Sequence, residues 1–308
     1  MRHWKAVLIF LIGASSFGVT PVFSKWGFAA GFSLGDIIWR QMLLASVILW
    51  IITLFKKPKW GNITKKDAIA LMLSGTLGGL TNVLYYASML YLPASIAVIL
   101  VFQFVWIGVL YESLFSKKLP SKTTIFSVVL TLVGVFLASN ILNGDISHMP
   151  IIAIILGFGS AFCFAGFIYS SGRVAKDIDP FIRSSFMVTG SLVLMTIIFP
   201  PTFTAGEITT HSVWFYSLGV AVFGSILPPL LFAISAPHLP SSLCTILGAI
   251  ELPMTVIIAK LVLLETVTFS QWVGVIIIMI CMSINEIKTV VMKLFNRKLN
   301  KETNRSIS

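Results

Sequence analysis

Ten apolar segments, each long enough to cross a lipid bilayer as a helix, set the main constraint on how this chain folds. A hydrocarbon core of about 30 Å requires about 20 mostly apolar residues in a helix. An isolated strand in lipid would leave its backbone groups unpaired, and the sequence lacks the polar alternation of a membrane barrel. The sequence therefore predicts an all-α integral membrane protein with ten transmembrane helices, numbered here as spans 1 to 10. They are predicted near residues 5–24, 34–55, 68–91, 93–115, 122–141, 150–171, 181–200, 212–236, 240–263 and 269–288.

The composition agrees with a fold whose solvent is lipid. The chain has 308 residues, of which 57% are hydrophobic and only 11% charged, too few polar residues to cover a water-soluble globule. Its basic amino terminus resembles a signal peptide, but the following apolar run is long enough to span, so we predict an uncleaved first span. Cys163, Cys244 and Cys281 lie within apolar segments and have no metal-ligand spacing. We expect no metal and no cofactor.

The basic residues predict the orientation of the chain. The net charge is +11, and all but three of the 22 Lys and Arg residues lie in segments that share one side of a ten-span chain. The positive-inside rule places that side, with both termini, in the cytoplasm of a multi-pass protein of the cell membrane. Residues 289–308 would form a basic cytoplasmic tail near anionic lipid, and we expect no nucleic-acid partner.

An internal repeat divides the chain into two halves. The segment "LPASIAVIL" (92–100) recurs 147 residues later as "LPSSLCTIL" (239–247), and the same offset continues through the following span. This predicts two five-helix repeats, residues 1–147 and 148–288. Five is an odd number, so the second repeat enters the membrane from the opposite side, as in transporters with inverted repeats.

Three features carry a resemblance to a known family. They are "YYASMLYLPASIAVIL" (85–100), "LLETVTFSQWVGV" (263–275) and an Asp/Arg pair four residues apart at the start of spans 2 and 7. With these features the chain resembles the drug/metabolite transporter superfamily, in its bacterial EamA group of ten-span exporters. Lys118 and Ser127 depart from the pattern of the first repeat, where Glu and Gly would match Glu265 and Gly274 of the second.

Polar residues far inside the predicted spans indicate a candidate site. Such residues are costly in lipid and normally face the bundle interior or a water-filled path. Glu251 lies about eleven residues into span 9, near the midplane at 1.5 Å per residue, and Pro253 is expected to break the helix beside it. Loss of solvation disfavours the charged form of such a carboxylate, so Glu251 is a candidate proton carrier. The alternative is a structural acid bonded to a neighbouring helix.

Other candidates lie on spans 1, 3 and 4. They are Ser16, Thr20 and the helix-breaking Pro21 on span 1, Asn82 and Tyr86 on span 3, and Gln103 and Trp106 on span 4. Each could bind a substrate or couple its movement to an ion. Small and polar residues are also the usual means by which membrane helices pack closely, so each stripe has a purely structural alternative. Asp36–Arg40 and Asp179–Arg183 are predicted to be structural ion pairs.

The predicted function is secondary transport by alternating access. The sequence lacks a Walker motif, so the energy would come from a gradient, with a proton or an exchanged solute as coupling partner. The expected substrate is a small organic metabolite, such as an amino acid or a related cationic or drug-like compound, and the expected direction is export. A channel-like pore and an integral-membrane enzyme are the alternatives, although the sequence has neither a ring of like charge nor a catalytic set of residues. The lipid bilayer is the expected environment, and no feature of the sequence sets the oligomeric state.

Overall fold

The computed structural model describes residues 1–58, 63–139, 150–201 and 211–282, and within these ranges the chain is helical, with no strand. Ten helical segments follow one another in the predicted order. Their bounds are His3–Phe17 and Thr20–Ala29 (span 1), Leu34–Lys56 (span 2), Lys65–Met89 (span 3), Ala94–Val101 and Phe104–Ser116 (span 4), Lys122–Ala138 (span 5), Ile151–Arg173 (span 6), Pro180–Ile198 (span 7), His211–Val220, Ala221–Ile226, Leu227–Ser235 and Ala236–His238 (span 8), Ser241–Gly248 and Glu251–Val262 (span 9), and Phe269–Met282 (span 10).

The prediction of ten apolar helices is confirmed. Eight of them are long and apolar enough to cross a membrane, and the helices Lys122–Ala138 and Phe269–Met282 are shorter apolar helices at the positions of spans 5 and 10. The predicted ends of these two spans and the predicted basic tail, residues 289–308, lie outside the described residues. The boundary between the two repeats, placed at 147/148, also lies outside them and stays a prediction.

Side-chain caps explain where several helices begin. At the start of span 2 the Ser33 hydroxyl accepts from the Asp36 backbone N–H, and the Asp36 carboxylate accepts from the Ser33 N–H. Thr64 and Asp67 form the same reciprocal pair before span 3. These contacts satisfy backbone donors that the first helical turn leaves without partners.

The two repeats share an unusual feature, a break in the middle of spans 4 and 9. In span 4, Gln103 N donates to Leu100 O and Val105 N donates to Phe102 O. Each of these bonds joins residues three apart instead of the four of a regular α-helix. In span 9, Ile250 N donates to Leu247 O and Leu252 N to Ala249 O, which is the same pattern 147 residues later. Both spans also have a proline at the residue before the first half-helix, Pro93 and Pro240.

Helix packing also follows the repeat. Span 3 packs against spans 6 and 7 of the other copy, and span 8 packs against spans 1 and 2. The fold is therefore two inverted five-helix repeats, in which helices of one repeat pack against helices of the other. Glycines permit the closest approaches: a Cβ at Gly75 of span 3 would lie 1.7 Å from the Met187 carbonyl oxygen of span 7.

The two Asp/Arg pairs behave differently. Arg40 donates to the Asp36 carboxylate at 3.0 Å, as predicted. The predicted pair of Asp179 and Arg183 is wrong. Asp179 instead accepts from the Phe181 N–H at the start of span 7, and the fully buried Arg183 guanidinium donates to the Ala233 and Ser171 carbonyls. Those carbonyls belong to the ends of spans 8 and 6, so Arg183 ties three helix ends together.

Candidate functional site

A cavity of about 140 Å³ lies at the helix breaks and is lined by spans 1, 3, 4, 6 and 9. Its wall is formed by Phe17, Thr20, Pro21, Thr81, Asn82, Tyr85, Tyr86, Val98, Val101, Phe102, Phe104, Phe164, Glu251, Leu252 and Thr255. The wall combines six aromatic residues with side chains that carry hydroxyl, amide and carboxyl groups. We call this space the Glu251 cavity.

Three broken helices meet at the Glu251 cavity. Span 1 is interrupted at Gly18 and Val19, and its second half begins with Thr20 and Pro21. A Cβ at Gly18 would lie 2.7 Å from the Thr255 backbone nitrogen, so the break in span 1 rests directly against the second half of span 9. Only a residue without a side chain permits this contact. All three breaks thus lie in the wall of one cavity.

Glu251 is the first residue of the second half-helix of span 9. A carboxylate at this position is favoured by the partial positive charge of the helix amino terminus. Among the described residues, no side chain forms a hydrogen bond or ion pair with the Glu251 carboxylate. The carboxylate therefore faces the cavity rather than a neighbouring helix, which argues against the structural alternative considered from the sequence.

Two tyrosines stand beside this carboxylate. The rings of Tyr85 and Tyr86 are 5.4 Å apart, centre to centre, and both lie within electrostatic range of Glu251. The Tyr86 hydroxyl lies near Ser24 of span 1. An acidic group next to aromatic faces is a suitable environment for an organic cation such as an ammonium group.

A smaller chamber of about 50 Å³ adjoins the Glu251 cavity and shares Phe17, Thr81, Asn82 and Phe164 with it. Beyond these four, its wall is formed by Met42, Gly78, Phe167, Met187, Val188, Ser191, Gly224, Ser225 and Pro229. No hydrogen bond engages the Asn82 side chain among the described residues. Asn82 thus presents an unoccupied amide to both spaces.

The structure brings five of the predicted site residues to one cavity and leaves four outside it. Glu251, Asn82, Tyr86, Thr20 and Pro21 line the Glu251 cavity. Gln103, Trp106, Ser16 and Pro253 do not. Pro253 is the third residue of the half-helix that begins at Glu251.

Gln103 and Trp106 bond to each other and to their own helix. The Gln103 amide donates to the Ile99 carbonyl at 3.0 Å and accepts from the Trp106 indole N–H at 2.8 Å. The Gln103 amide thus satisfies a backbone carbonyl beside the break in span 4. The depth of Gln103 in the span suggested a contact with a ligand, but its hydrogen bonds are made within its own helix.

Ser16 also has a structural partner. Its hydroxyl lies 2.7 Å from the Gly13 carbonyl and 2.9 Å from the Phe223 carbonyl of span 8. Phe223 belongs to Ala221–Ile226, a stretch of π-helix whose wider turn leaves backbone groups without regular partners. The sequence reasoning overlooked this stretch, which supplies Gly224 and Ser225 to the smaller chamber. The adjacent prolines, Pro228 and Pro229, were the signal that could have located it.

Among the described residues, no group of three or more His, Cys, Asp or Glu could hold a metal ion. The site is built instead from one carboxylate, amide and hydroxyl groups, and aromatic rings. An inverted ten-helix repeat with such a cavity at its helix breaks is the architecture of a membrane transport protein.

The chain belongs to the EamA-like transporter family, whose model matches residues 4–140 and 151–285. It is 31% identical over 274 residues to the threonine/homoserine exporter RhtA of Escherichia coli strain K12, covering 88% of each chain. Identity to the protein of the same name from Salmonella typhimurium strain LT2 is 30% over 272 residues, covering 87% of this chain and 86% of that one. A solved structure titled "Crystal structure of protein" superposes with a TM-score of 0.77 over 97% of this chain and 99% of the other, at 12% identity, which is a likeness of fold.

Proposed function

We propose that this protein exports small amino acids across the cell membrane by alternating access, and that Glu251 binds the ammonium group of the substrate. The supporting observation is the Glu251 carboxylate, which faces the cavity at the helix breaks and has no hydrogen-bond or ion-pair partner among the described residues. An ammonium group would supply that partner, and the faces of Tyr85 and Tyr86 would add cation–π attraction. The names of the two relatives, threonine/homoserine exporters, favour an amino acid that carries a hydroxyl group.

The carboxylate and side chain of the substrate require separate partners. Asn82 offers an amide between the Glu251 cavity and the smaller chamber, and Thr81 offers a hydroxyl at the same place. Thr255 stands one turn from Glu251 and donates to the Glu251 carbonyl at 2.8 Å, so its oxygen can still accept a hydrogen bond. In this proposal the ammonium group of the substrate binds at Glu251, and its carboxylate binds at Asn82 and Thr81, where the Glu251 cavity meets the smaller chamber.

Proton exchange at Glu251 provides a coupling mechanism. In a water-poor site the charged carboxylate is stabilised while an ammonium group occupies the cavity. When the substrate leaves, a proton takes its place and neutralises the carboxylate. Substrate and proton then compete for one group, which is the requirement for exchanging an outgoing amino acid against an incoming proton. The basic residues of the cytoplasmic segments set the direction of insertion, with both termini inside.

The test uses purified protein in liposomes loaded with unlabelled threonine. Counterflow should concentrate external labelled threonine, which a channel-like pore would not do. Glu251→Gln keeps the volume of the side chain and removes its charge, so we expect loss of pH-dependent transport and at least about tenfold weaker threonine binding, the weight of one charge-assisted hydrogen bond. Glu251→Asp retains the charge and should keep part of the activity. Unchanged affinity, rate and pH profile in Glu251→Gln would remove the carboxylate from the mechanism.

A further inference from the structure

The carboxylate of Glu112 caps a half-helix that belongs to the other repeat. Glu112 lies in the second half of span 4 and is partly buried; its Oε2 accepts from the Ser242 backbone N–H at 2.5 Å. Ser242 is the second residue of the half-helix Ser241–Gly248 in span 9. That half-helix begins after Pro240 and has no capping side chain of its own. Span 4 therefore supplies the cap that span 9 lacks.

The equivalent contact is missing at the opposite face. With the offset of 147 residues, Glu112 corresponds to Ala259 and Ser242 to Ser95. Alanine has no acceptor to offer, and the half-helix Ala94–Val101 has no side-chain cap. The cap thus breaks the symmetry of two repeats whose backbones otherwise match through both helix breaks.

The opposite face has a different contact, an ion pair between Lys25 and Glu265. It joins the end of span 1 to the segment between spans 9 and 10. Both side chains are about half exposed, at 54% and 45% of their surface. Water and salt weaken an exposed ion pair, whereas a carboxylate bonded to a backbone N–H in a partly buried place is screened less. We call the two sides of the molecule the Glu112 face and the Lys25 face.

The capped half-helix connects the Glu112 face to the Glu251 cavity. It runs from Ser241 to Gly248 and is followed after two residues by Glu251. Along this length it packs tightly on span 4, since a Cβ at Gly108 would lie 2.0 Å from Thr245 Cγ2. Spans 4 and 9 belong to different repeats. Any rocking of one repeat against the other that opens the Glu112 face must therefore break the cap.

We propose that Glu112 is a positioning residue that holds the Glu112 face closed, so that the substrate-free protein opens preferentially at the Lys25 face. This rests on the alternating access of the proposed function. The cap stabilises the first half of span 9 against span 4, and its loss shifts the population toward a state open at the Glu112 face. The Lys25–Glu265 pair and the hydrogen bond from Trp39 to Thr196, which also joins the two repeats on the Lys25 face, are both exposed. We therefore expect the Lys25 face to open first when no substrate favours the other state.

The native Cys244 provides a reporter of this equilibrium. It lies in the capped half-helix, is 1% exposed, and is near enough to Glu112 and Arg173 for their charges to act on its thiol. A thiol reagent reaches Cys244 from the Glu112 face only when the half-helix separates from span 4. The labelling rate therefore measures opening without any transported substrate, and a wrong substrate assignment leaves the measurement intact.

The experiment uses full-length protein in membrane vesicles, with Cys163→Ser and Cys281→Ser so that Cys244 is the remaining thiol. A maleimide is added and the labelled fraction followed with time. Glu112→Ala should raise the labelling rate about tenfold or more, the effect of one lost charge-assisted hydrogen bond. Glu112→Gln keeps an acceptor without the charge and should raise it less.

Two proline substitutions sharpen the test. Ser242→Pro removes the donor of the cap and leaves Glu112 in place; proline is tolerated in a first helical turn, as Pro21 shows at the same position of its half-helix. It should raise labelling of Cys244 as Glu112→Ala does, and the double variant should add little. Ser95→Pro, the matched control in the first repeat, should not raise it, and neither should Glu265→Gln. Labelling within twofold of the parent in both Glu112→Ala and Ser242→Pro would overturn the proposal.

Discussion

Replacing Gly75 by alanine should loosen the contact between the two repeats. The added Cβ would lie 1.7 Å from the Met187 carbonyl oxygen and 2.4 Å from the carbonyl carbon, both backbone atoms of span 7. Backbone cannot rotate away as a side chain can, so spans 3 and 7 must separate. The separation also stretches the bond from the Ser191 hydroxyl to the Gly75 carbonyl, which is 2.6 Å long.

The size of the effect follows from three contributions. Overpacking a close contact costs about 1–3 kcal/mol, and loss of the Ser191 hydrogen bond costs about 1 kcal/mol. Alanine is favoured over glycine in a helix by about 1 kcal/mol, which offsets part of this loss. The net destabilisation is about 1–3 kcal/mol, or a fall in apparent melting temperature of about 3–10 °C.

Gly159→Ala is the matched control. Its new Cβ would meet only Leu84 Cδ1 at 3.3 Å, the end of a flexible side chain. The helix preference of alanine should then dominate, and Gly159→Ala should be neutral or slightly stabilising. Melting is followed in detergent by the fraction of protein that stays monodisperse after heating. If the melting temperature of Gly75→Ala equals or exceeds that of Gly159→Ala, the packing argument for the interface between repeats is refuted.

Further predictions concern the site, the faces and the topology. Asn82→Ala should weaken threonine binding about tenfold, because Asn82 lines the cavity. Gln103→Ala should weaken binding less than about threefold and mainly lower stability, because the Gln103 amide bonds within span 4. Equal effects of the two variants on binding would contradict this division. Raising ionic strength from 0.1 M to 1 M shortens the screening length from about 10 to about 3 Å and so weakens the Lys25–Glu265 pair. A cysteine that replaces Thr20 should then be labelled faster by a reagent added on the Lys25 side. An unchanged labelling rate would exclude the ion pair as a restraint. In a background without native cysteines, cysteines at Asn62 and Asn143 should react with an impermeant reagent from the inside and the outside respectively; reaction of both from one side would refute the predicted orientation.

The apolar pattern was sufficient to predict the fold, because a lipid solvent leaves helices as the main option and span length follows from bilayer thickness. The repeat was readable for a similar reason. Pro93 and Pro240 precede equivalent half-helices, so the same local sequence pattern occurs in both repeats.

The helix breaks were harder to predict. Span 9 has Pro253 near its break, but span 4 makes the same break with Trp106 at the equivalent position, so packing rather than proline determines it.

The candidate site was predicted in part. Depth in the span identified Glu251 and Asn82 as residues that line a cavity, because an acid or amide in lipid must face protein or water. Depth also selected Gln103, and a stripe of small and polar residues on span 1 selected Ser16. The polar groups of these two residues satisfy backbone carbonyls at a break and at the π-helical stretch. Depth alone does not separate these two uses. Distinguishing them requires the position of the break, which depends on contacts between helices far apart in the sequence.

The matched breaks of spans 4 and 9 have a consequence for how such a protein can arise. A two-fold axis that relates identical halves needs no covalent link between them, so one five-helix chain inserted in both orientations could build this interface with itself. In that dimer every residue would appear at both faces, and a glutamate that capped one half-helix would cap the other equally. Joining the halves in one polypeptide lets Glu112 and Ala259 differ. A single polypeptide thus has something that a symmetric dimer lacks, two membrane faces whose residues can be changed separately.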